Sequence, residues 1–206
     1  KTGDGRISGT LASLCGLENA IADNDANEIT HSINKILLMQ SVSFFIGGLP
    51  MIFYGDEVGY TNDYSYLHET GKIYDNRWMH RPKINWQKNN LKDVSGTIEQ
   101  RIFSGTKKLL SIRKSLRAVS DKSNIIWLAP HNIHVAGFIR FNEEQKIFCL
   151  YNFSNQPAYL TWFAFKEHGV DIRELKDHWT GKHYTVGNDN EYLIIAPYEF
   201  HLMESV

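Results

Sequence analysis

The apolar residues of this chain change their spacing near residue 120, and this change limits the folds that the chain can adopt. Before that point they recur every three or four positions, as on one face of a helix. After it, short β-rich segments alternate with turn clusters such as SNQP and VGNDN. We therefore predict two domains: residues 1–119, made of helices around one strand, and residues 120–206, an all-β domain with an antiparallel β-sandwich fold.

The first 119 residues contain one strand-like run between two amphipathic helices. The spacing predicts a helix from Ile29 that Gly47 and Gly48 end, and a second helix over residues 97–117. The run LPMIFY at 49–54 is predicted as a buried strand. Since one strand cannot form a sheet that is covered on both faces, this part fits the last strand and helices of a (β/α)8 barrel. A preceding segment of a longer protein is expected to complete that barrel.

Two features near the start of the chain are interpreted as helix ends. SGTLASLC at 8–15 is predicted as a short helix that Gly16 stops. ADNDANE at 22–28 resembles a calcium loop, but Glu28 stands where that loop needs glycine and Asn34 where it needs glutamate. We interpret these acidic residues as the start of the following helix.

Composition argues against several partners. The 22 basic and 23 acidic residues leave a formal net charge of −1, without a basic run, so no nucleic acid is expected to bind. The apolar runs are far shorter than the roughly 20 residues that span a bilayer, so no membrane contact is expected.

The cysteines and one acceptor tripeptide give no sign of a modified or metal-binding site. Cys15 and Cys149 are far apart and lack the spacing of metal ligands, so we expect buried thiols and no metal. Asn152-Phe153-Ser154 fits the glycosylation pattern, but we interpret it as a strand end that enters a turn.

Two carboxylates directly follow the predicted strand, in the sequence Gly55-Asp56-Glu57. Ligands in parallel α/β folds bind at the carboxyl ends of strands, so Asp56 and Glu57 are candidate site residues. Alternatively, either residue caps a loop or pairs with a cation. The loop of about 17 residues from Gly59 to Asn76 is longer than usual, which favours a functional or mobile segment.

Three motifs together resemble one enzyme family. TGDGRISGT at 2–10, GGLPMIFYGDEVGYTND at 47–63 and DNRWMHRP at 75–82 precede the β domain in this order. The order is similar to that of the α-amylase superfamily of glycoside hydrolases and transglycosylases, and within it to the amylosucrase-like enzymes. The resemblance implies that residues 49–54 are the eighth barrel strand, that 97–117 is the closing helix, and that the β segments are the C-terminal domain.

The resemblance also implies roles for four residues. Arg77 matches an arginine that pairs with an aspartate of an early barrel loop and closes the glucose pocket, a task that suits a planar guanidinium. Arg6 matches an arginine on the acceptor or fructosyl side. Asp56 and Glu57 are expected to support the pocket wall. From the local sequence alone, Arg77 is equally a surface residue and the glycines beside Arg6 equally mark a turn.

The chemistry implied by the resemblance is glucosyl transfer from sucrose or a short α-glucoside by double displacement. It needs a nucleophile and an acid about 5 Å apart. These motifs precede the part of the family that this chain resembles, so no catalytic residue is expected here and the chain alone is predicted to be inactive. No cofactor is required. Sucrose hydrolase and α-glucosidase activities remain alternatives, because TNDYSYLHETGKIYD differs from the loop of amylosucrase-like enzymes.

A different class of function also remains open, a non-catalytic carbohydrate-binding or packing module with exposed aromatic residues. Trp127, Trp162 and Trp179 are candidates for a sugar-stacking surface, although tryptophans of small β domains more often lie in the core. GFIRFNEE at 137–144 resembles the family's nucleophile strand superficially, but Asn142 replaces the aspartate. We interpret it as an alternating strand of the β domain.

Overall fold

The computed structural model describes residues 8–120, 124–168 and 173–206. By contact it divides into two compact units. The first comprises the described part of Lys1–Ile36 with Ile52–Gly105, and the second comprises Leu37–Met51 with the described part of Thr106–Val206. The predicted domain boundary after residue 119 stays a prediction, since this grouping does not test which part folds alone.

The first unit is helical and irregular. It contains α1 (Leu11–Leu14), α2 (Leu17–Ala22), the start of α3 (Ala26–Phe45), α4 (Trp86–Asn90) and the start of α5 (Ile98–Ser115). Thr10 caps α1 by accepting a hydrogen bond from the backbone N–H of Ser13. Asp25 accepts from the N–H groups of Asn27 and Glu28 at the start of α3. The acidic stretch is therefore a helix start, as predicted, and α2 is an additional helix.

Gly59 explains why the chain after the GDE sequence can approach the helices. Its φ is 68°, and a Cβ atom there would lie 2.5 Å from the Cδ1 atom of Ile102 and 3.3 Å from a methyl carbon of Leu17. Only glycine fits this position without moving its neighbours. Val58, Leu17 and Ile102 are all buried around it.

The second unit is built on antiparallel strands. Six of them form one sheet in the order β1-β2-β3-β8-β5-β6, and β4 and β7 pair separately. Residues of both sheets, including Ile139, Leu150, Leu160 and Leu193, share one buried core, which agrees with the predicted sandwich. The strands are β1 (Ile125–Trp127), β2 (Val135–Phe141), β3 (Lys146–Asn152), β4 (Ala158–Thr161), β5 (Glu174–Asp177), β6 (His183–Thr185), β7 (Tyr192–Ile195) and β8 (Phe200–Ser205).

The three tryptophans and the acceptor asparagine of this unit differ in their exposure. Trp162 lies in the core, Trp179 is half-buried against Phe200, and Trp127 is exposed on the edge strand β1. Asn152 ends β3 and is fully buried, with its amide donating to three backbone carbonyls, so it is not available to a glycan. Cys149 is buried, as is Cys15 of the first unit.

Strand β2 does not alternate between core and solvent as predicted. Phe138, Ile139 and Arg140 are all buried: Ile139 lies in the sandwich core, and Arg140 contacts the chain at the end of α3. The Arg140 guanidinium donates to the carbonyl of Ile46 at 2.6 Å and to Asn124 Oδ1 at 2.8 Å. Arg113 donates to the carbonyls of Phe44 and Gly48. Two cations thus satisfy the carbonyls at the C-terminal end of α3.

The predicted strand at 49–54 does not form. The structure has no strand between residues 46 and 60, and Leu49 and Met51 are 91% and 85% exposed. A β-strand requires a hydrogen-bonded neighbour, and none of the described residues pairs with this segment. The parallel barrel part of the predicted fold is therefore not formed by the described residues. Among them, no helix is both long and apolar enough to cross a membrane.

Candidate functional site

The residues Gly55 to Gly59 form a tight turn, which we call the GDEVG turn. Gly55 and Gly59 have positive φ angles of 92° and 68°, and Asp56–Val58 between them is one turn of 3-10 helix. A side chain at Gly55 would lie 2.9 Å from the Tyr60 ring. Glu57 folds back, and its Oε2 accepts a hydrogen bond from the N–H of Gly55 at 2.7 Å. Glu57 therefore stabilises the turn itself, and its expected role in supporting a pocket wall stays a prediction.

Asp56 connects this turn to the first helix. Its half-buried carboxylate accepts hydrogen bonds from the backbone of Leu11 at the start of α1 and of Phe53. Burial, together with a smaller effect of the neighbouring Glu57 charge, raises the pKa of Asp56 to about 6, although these hydrogen bonds lower it. The surroundings of Asp56 therefore hold its carboxylate in place but disfavour its ionised form.

Asn62 makes a second connection between the segment at the start of α1 and the segment that contains the GDEVG turn. No motif in the sequence marks Asn62 as a site residue. Its Oδ1 accepts from the N–H of Thr10 at 2.8 Å, and its own N–H donates to Ser13 Oγ at 2.9 Å. Its Nδ2 donates to the hydroxyl of Tyr64 at 3.2 Å. The segments 8–13 and 53–64 are therefore joined at Asp56 and at Asn62. The only signal in the sequence was its place at the end of the motif GYTND.

The segment that carries Arg77 lies against the same region. The N–H of Asp63 donates to the carbonyl of Met79 at 2.8 Å. The hydroxyl of Tyr54 donates to the carbonyl of Pro82 at 3.2 Å. The Phe53 ring also contacts His80, with ring centroids 6.1 Å apart. The structure thus brings the Asp56 turn and the Arg77 segment together in the first unit.

Arg77 itself forms an ion pair with Asp75, two residues earlier in the chain. Its Nε and Nη2 donate to the two oxygens of Asp75, each at 2.8 Å, in a bidentate pair. These hydrogen bonds lower the pKa of Asp75 to about 2. The Arg77 side chain is 59% exposed, so the pair holds the orientation of the guanidinium and adds little stability. The pairing with a distant aspartate stays a prediction.

Arg6 lies outside the described residues. The long loop after Gly59 contains a 3-10 turn at Ser65–His68, and Lys72 lies 4.7 Å above the Trp78 ring. In the part of the chain that the structure describes, no three His, Cys, Asp or Glu side chains come together as metal ligands.

A pH series should show that the charge on Asp56 destabilises the folded chain. Its pKa is about 6 when folded and that of an unfolded aspartate is about 3.9, so the folded state holds the proton more tightly. Its contribution to the free energy of unfolding is fully present below about pH 4 and is lost as the pH rises to about 6. Asp56→Asn removes this ionisation and keeps an acceptor oxygen.

We expect the free energy of unfolding of Asp56→Asn, minus that of the unmodified chain, to rise by about 1–2 kcal/mol between about pH 4 and pH 7, after allowance for solvent screening. Urea unfolding followed by circular dichroism measures this difference. Asp23→Asn is the control, because the side chain of Asp23 is exposed. A difference for Asp56→Asn that stays constant with pH would show that its carboxylate is not destabilised by burial.

No family model matches this chain. Solved structures do match it. AmyP in complex with maltotriose matches with a TM-score of 0.67 and 15% identity, over 85% of this chain and 35% of its own. The α-amylase of Geobacillus thermoleovorans, complexed with acarbose, matches with a TM-score of 0.56 and 14% identity, over 86% of this chain and 36% of its own.

An isomaltulose synthase also matches this chain. A variant of the isomaltulose synthase of Erwinia rhapontici, in complex with D-glucose, has a TM-score of 0.53 and 17% identity, over 83% of this chain and 38% of its own. The chain therefore shares its fold with part of α-amylases and isomaltulose synthases. It spans little more than a third of the length of these enzymes.

Proposed function

We propose that this chain is part of a retaining enzyme of the α-amylase superfamily that transfers or hydrolyses glucosyl groups. The observation that carries the proposal is the fold match over more than four fifths of the chain with both amylases and an isomaltulose synthase. The three motifs of the sequence support the same assignment. Within the superfamily we propose an amylosucrase-like enzyme with sucrose or a short α-glucoside as substrate, and sucrose hydrolase or α-glucosidase as alternatives.

In this proposal the residues of the chain bind the sugar and do not carry out the displacement. Arg77 and Arg6 contact the substrate, while Asp56 and Glu57 hold the segments around it. Double displacement needs two carboxyl groups about 5 Å apart, one ionised and one protonated. Asp56 is committed to backbone N–H groups and Glu57 to the N–H of Gly55. We therefore place the nucleophile and the acid in a further segment of the protein.

We also propose that the further segment packs against residues 49–54. This stretch exposes Leu49, Met51, Ile52, Phe53 and Tyr54, each at least 38% accessible to solvent. A run of adjacent exposed apolar residues usually marks an interaction surface. The matched enzymes are more than twice as long as this chain, so a segment that could cover it exists in them.

The isolated 206-residue chain is expected to show no turnover of sucrose or of short α-glucosides. It lacks the pair of carboxylates that the chemistry requires in this proposal. Glucose release is measured over hours and compared with a blank without protein. Release above the blank that persists through purification would refute the assignment of the chemistry to another segment.

The proposed function itself is tested on the protein encoded by the whole reading frame that contains this chain. We expect that protein to consume sucrose or a short α-glucoside and to release a product with the anomeric configuration retained. A reading frame that encodes no further segment, or an encoded protein inactive on sucrose, maltose and maltotriose alike, would contradict the proposal.

A further inference from the structure

Asp63 binds two points of the segment that carries Arg77. This segment comprises residues 75–83, and we call it the Arg77 segment. The backbone N–H of Asp63 donates to the carbonyl of Met79 at 2.8 Å. The carboxylate of Asp63 accepts a hydrogen bond from the backbone N–H of Lys83. Asp63 therefore contacts the Arg77 segment at two separate positions, once through its main chain and once through its side chain.

The carboxylate of Asp63 is itself held in place by Ser65. It accepts a hydrogen bond from the N–H of Ser65 at 2.9 Å and another from the Ser65 hydroxyl. The hydroxyl bond, together with the backbone bonds from Ser65 and Lys83 and the charge of the Lys83 ammonium, lowers the pKa of Asp63, although burial opposes this effect. The side chain is therefore ionised at neutral pH and has only acceptor atoms, which suits a group with three donors around it.

The ion pair of Arg77 does not determine where the Arg77 segment lies. Asp75 belongs to the same turn as Arg77, and it also caps the 3-10 helix Asn76–His80 through the N–H of Arg77. Their pair therefore orients the guanidinium only with respect to that turn. The contact between Arg81 and the Trp78 ring, at 5.5 Å, is likewise internal to the segment. These contacts fix the shape of the segment and leave its position to other residues.

The chain on either side of the GDEVG turn supplies that position. Tyr54 precedes the turn, and its hydroxyl donates to the carbonyl of the buried Pro82 at 3.2 Å. Asp63 follows the turn and makes the two contacts with Met79 and Lys83. Hydrogen bonds to an ionised group are about twice as strong as those between neutral groups. Asp63 is therefore expected to contribute more to the position of the Arg77 segment than Tyr54 does.

We propose that Asp63 is a positioning residue for the enzymatic reaction, which holds the Arg77 segment where the Arg77 guanidinium can bind the glucosyl ring. The inference rests on the proposed function and on the proposed contact of Arg77 with the substrate. Asp63 acts through Arg77, because its own carboxylate already accepts hydrogen bonds from Ser65 and Lys83. A displacement of a binding group by about 1 Å can lower a rate about 100-fold, so such an indirect role can have a large effect.

The first test is the steady-state kinetics of the protein encoded by the whole reading frame, with sucrose, or with maltotriose if sucrose is not consumed. Asp63→Ala removes the carboxylate and should lower kcat/KM about 10- to 100-fold. Asp63→Asn keeps one acceptor oxygen and should lower it only about three- to tenfold. Asp93→Asn is the matched control, because the Asp93 side chain is 73% exposed in the same unit. It should change kcat/KM by less than about twofold.

A double-mutant cycle tests whether Asp63 acts through Arg77. In the Arg77→Lys background the guanidinium that Asp63 positions is absent, so Asp63→Ala should lower kcat/KM by less than about threefold. A residue that only stabilises the fold would lower the melting temperature and leave the kinetics of the folded protein unchanged. Equal losses in both backgrounds would show that Asp63 acts independently of Arg77, and this result would overturn the inference.

Hydrogen exchange in the 206-residue chain tests the contacts of Asp63 without any measurement of activity. The backbone amides of residue 63 and of Lys83 donate to Met79 and to the Asp63 carboxylate. Both amides should exchange at least about tenfold faster in Asp63→Ala, after correction for the intrinsic rates, and at unchanged rates in Asp93→Asn. Unchanged exchange of both amides in Asp63→Ala would show that the carboxylate does not hold the Arg77 segment.

Different results refute the inference and the proposed function. An active unmodified protein whose Asp63→Ala variant keeps its full kcat/KM overturns the inference alone. An unmodified protein without activity refutes the proposed function and with it the role of Asp63 in the reaction, while hydrogen exchange still decides whether Asp63 holds the segment. If circular dichroism shows that Asp63→Ala does not fold, Asp63→Asn is compared with Ser65→Ala, which removes one donor and should lower kcat/KM about two- to fivefold. Unchanged kinetics in both of these variants would overturn the inference.

Discussion

Replacing Arg77 with lysine is expected to lower kcat/KM for sucrose roughly 30-fold to several thousand-fold in the protein encoded by the whole reading frame. Lysine keeps the positive charge but loses the planar fork that Arg77 presents to the two oxygens of Asp75. The proposed pocket needs a guanidinium in a fixed orientation to hold one end of the glucosyl ring. A mobile ammonium does not keep such an orientation. Arg77→Lys is therefore expected to weaken binding of the transition state more than it lowers the stability of the fold.

Arg77→Lys should hardly change the stability of the folded state, since the Arg77 side chain is 59% exposed. Melting temperatures of the two proteins should therefore agree within about 2 °C. Arg81→Lys is the matched control, because Arg81 lies in the same segment, 5.5 Å from the Trp78 ring, and is exposed. It should change kcat/KM by less than about twofold. Equal kinetics for both arginine variants would remove Arg77 from the proposed pocket.

Asp75→Asn tests whether the local pair orients Arg77. Asparagine offers one acceptor oxygen where Asp75 offers two, so the guanidinium loses one of its two hydrogen bonds. We expect kcat/KM to fall by up to about tenfold, less than for Arg77→Lys, because the arginine is still present. A larger loss than that of Arg77→Lys would show that Asp75 itself contacts the substrate.

The long helices and most strands could be predicted because their apolar periodicity persists over many residues. Helices α3 and α5 appear where the spacing places them. Strand β5 has no such periodicity, since its sequence ELKD contains one apolar residue, and its inward positions are Leu175 and Asp177. Asp177 is buried because it accepts from the N–H of Leu202 and binds His201 at 3.0 Å. Such a buried polar partner has no signature in hydrophobic periodicity.

The sequence indicates which residues to consider for a site but not their contacts. It indicates Asp56 and Glu57 from their place after an apolar run, and the structure places both at a turn while their role in a site stays a prediction. Their partners are backbone N–H groups, which every residue possesses, so no pattern reveals that Leu11 is among them. The strand expected at 49–54 does not form, for a related reason. Its composition fits a buried strand, but a strand also needs a neighbour, which composition does not supply.

The buried cation Arg140 holds the chain at the C-terminal end of α3. A charged residue in a strand is normally expected to face solvent, yet Arg140 is fully buried and donates to carbonyls of Phe45 and Ile46 and to Asn124. Gly47 allows this approach, because a Cβ atom there would lie 2.9 Å from Arg140 Nη1. The GG sequence that predicted a helix end thus also makes room for the guanidinium.

Arg140→Met should therefore destabilise the chain by about 3–5 kcal/mol, because three acceptors, the carbonyls of Phe45 and Ile46 and the Oδ1 atom of Asn124, lose their donor. For a chain of 206 residues this corresponds to a fall in melting temperature of about 6–20 °C. Thermal unfolding followed by circular dichroism measures it. Arg117→Met is the matched control, since Arg117 is 78% exposed in its pair with Glu144 and should change stability by less than about 0.5 kcal/mol.

A double-mutant cycle separates the role of Gly47 from general strain. Gly47→Ala places a methyl group against Arg140 Nη1, so it should destabilise the unmodified chain through both the contact and its φ of 139°. In the Arg140→Met background the strain of the backbone persists but the contact with the guanidinium is gone. The cost of Gly47→Ala should therefore be smaller there by about 1 kcal/mol. Equal costs in both backgrounds, or equal melting temperatures for Arg140→Met and Arg117→Met, would show that Arg140 does not hold the end of α3.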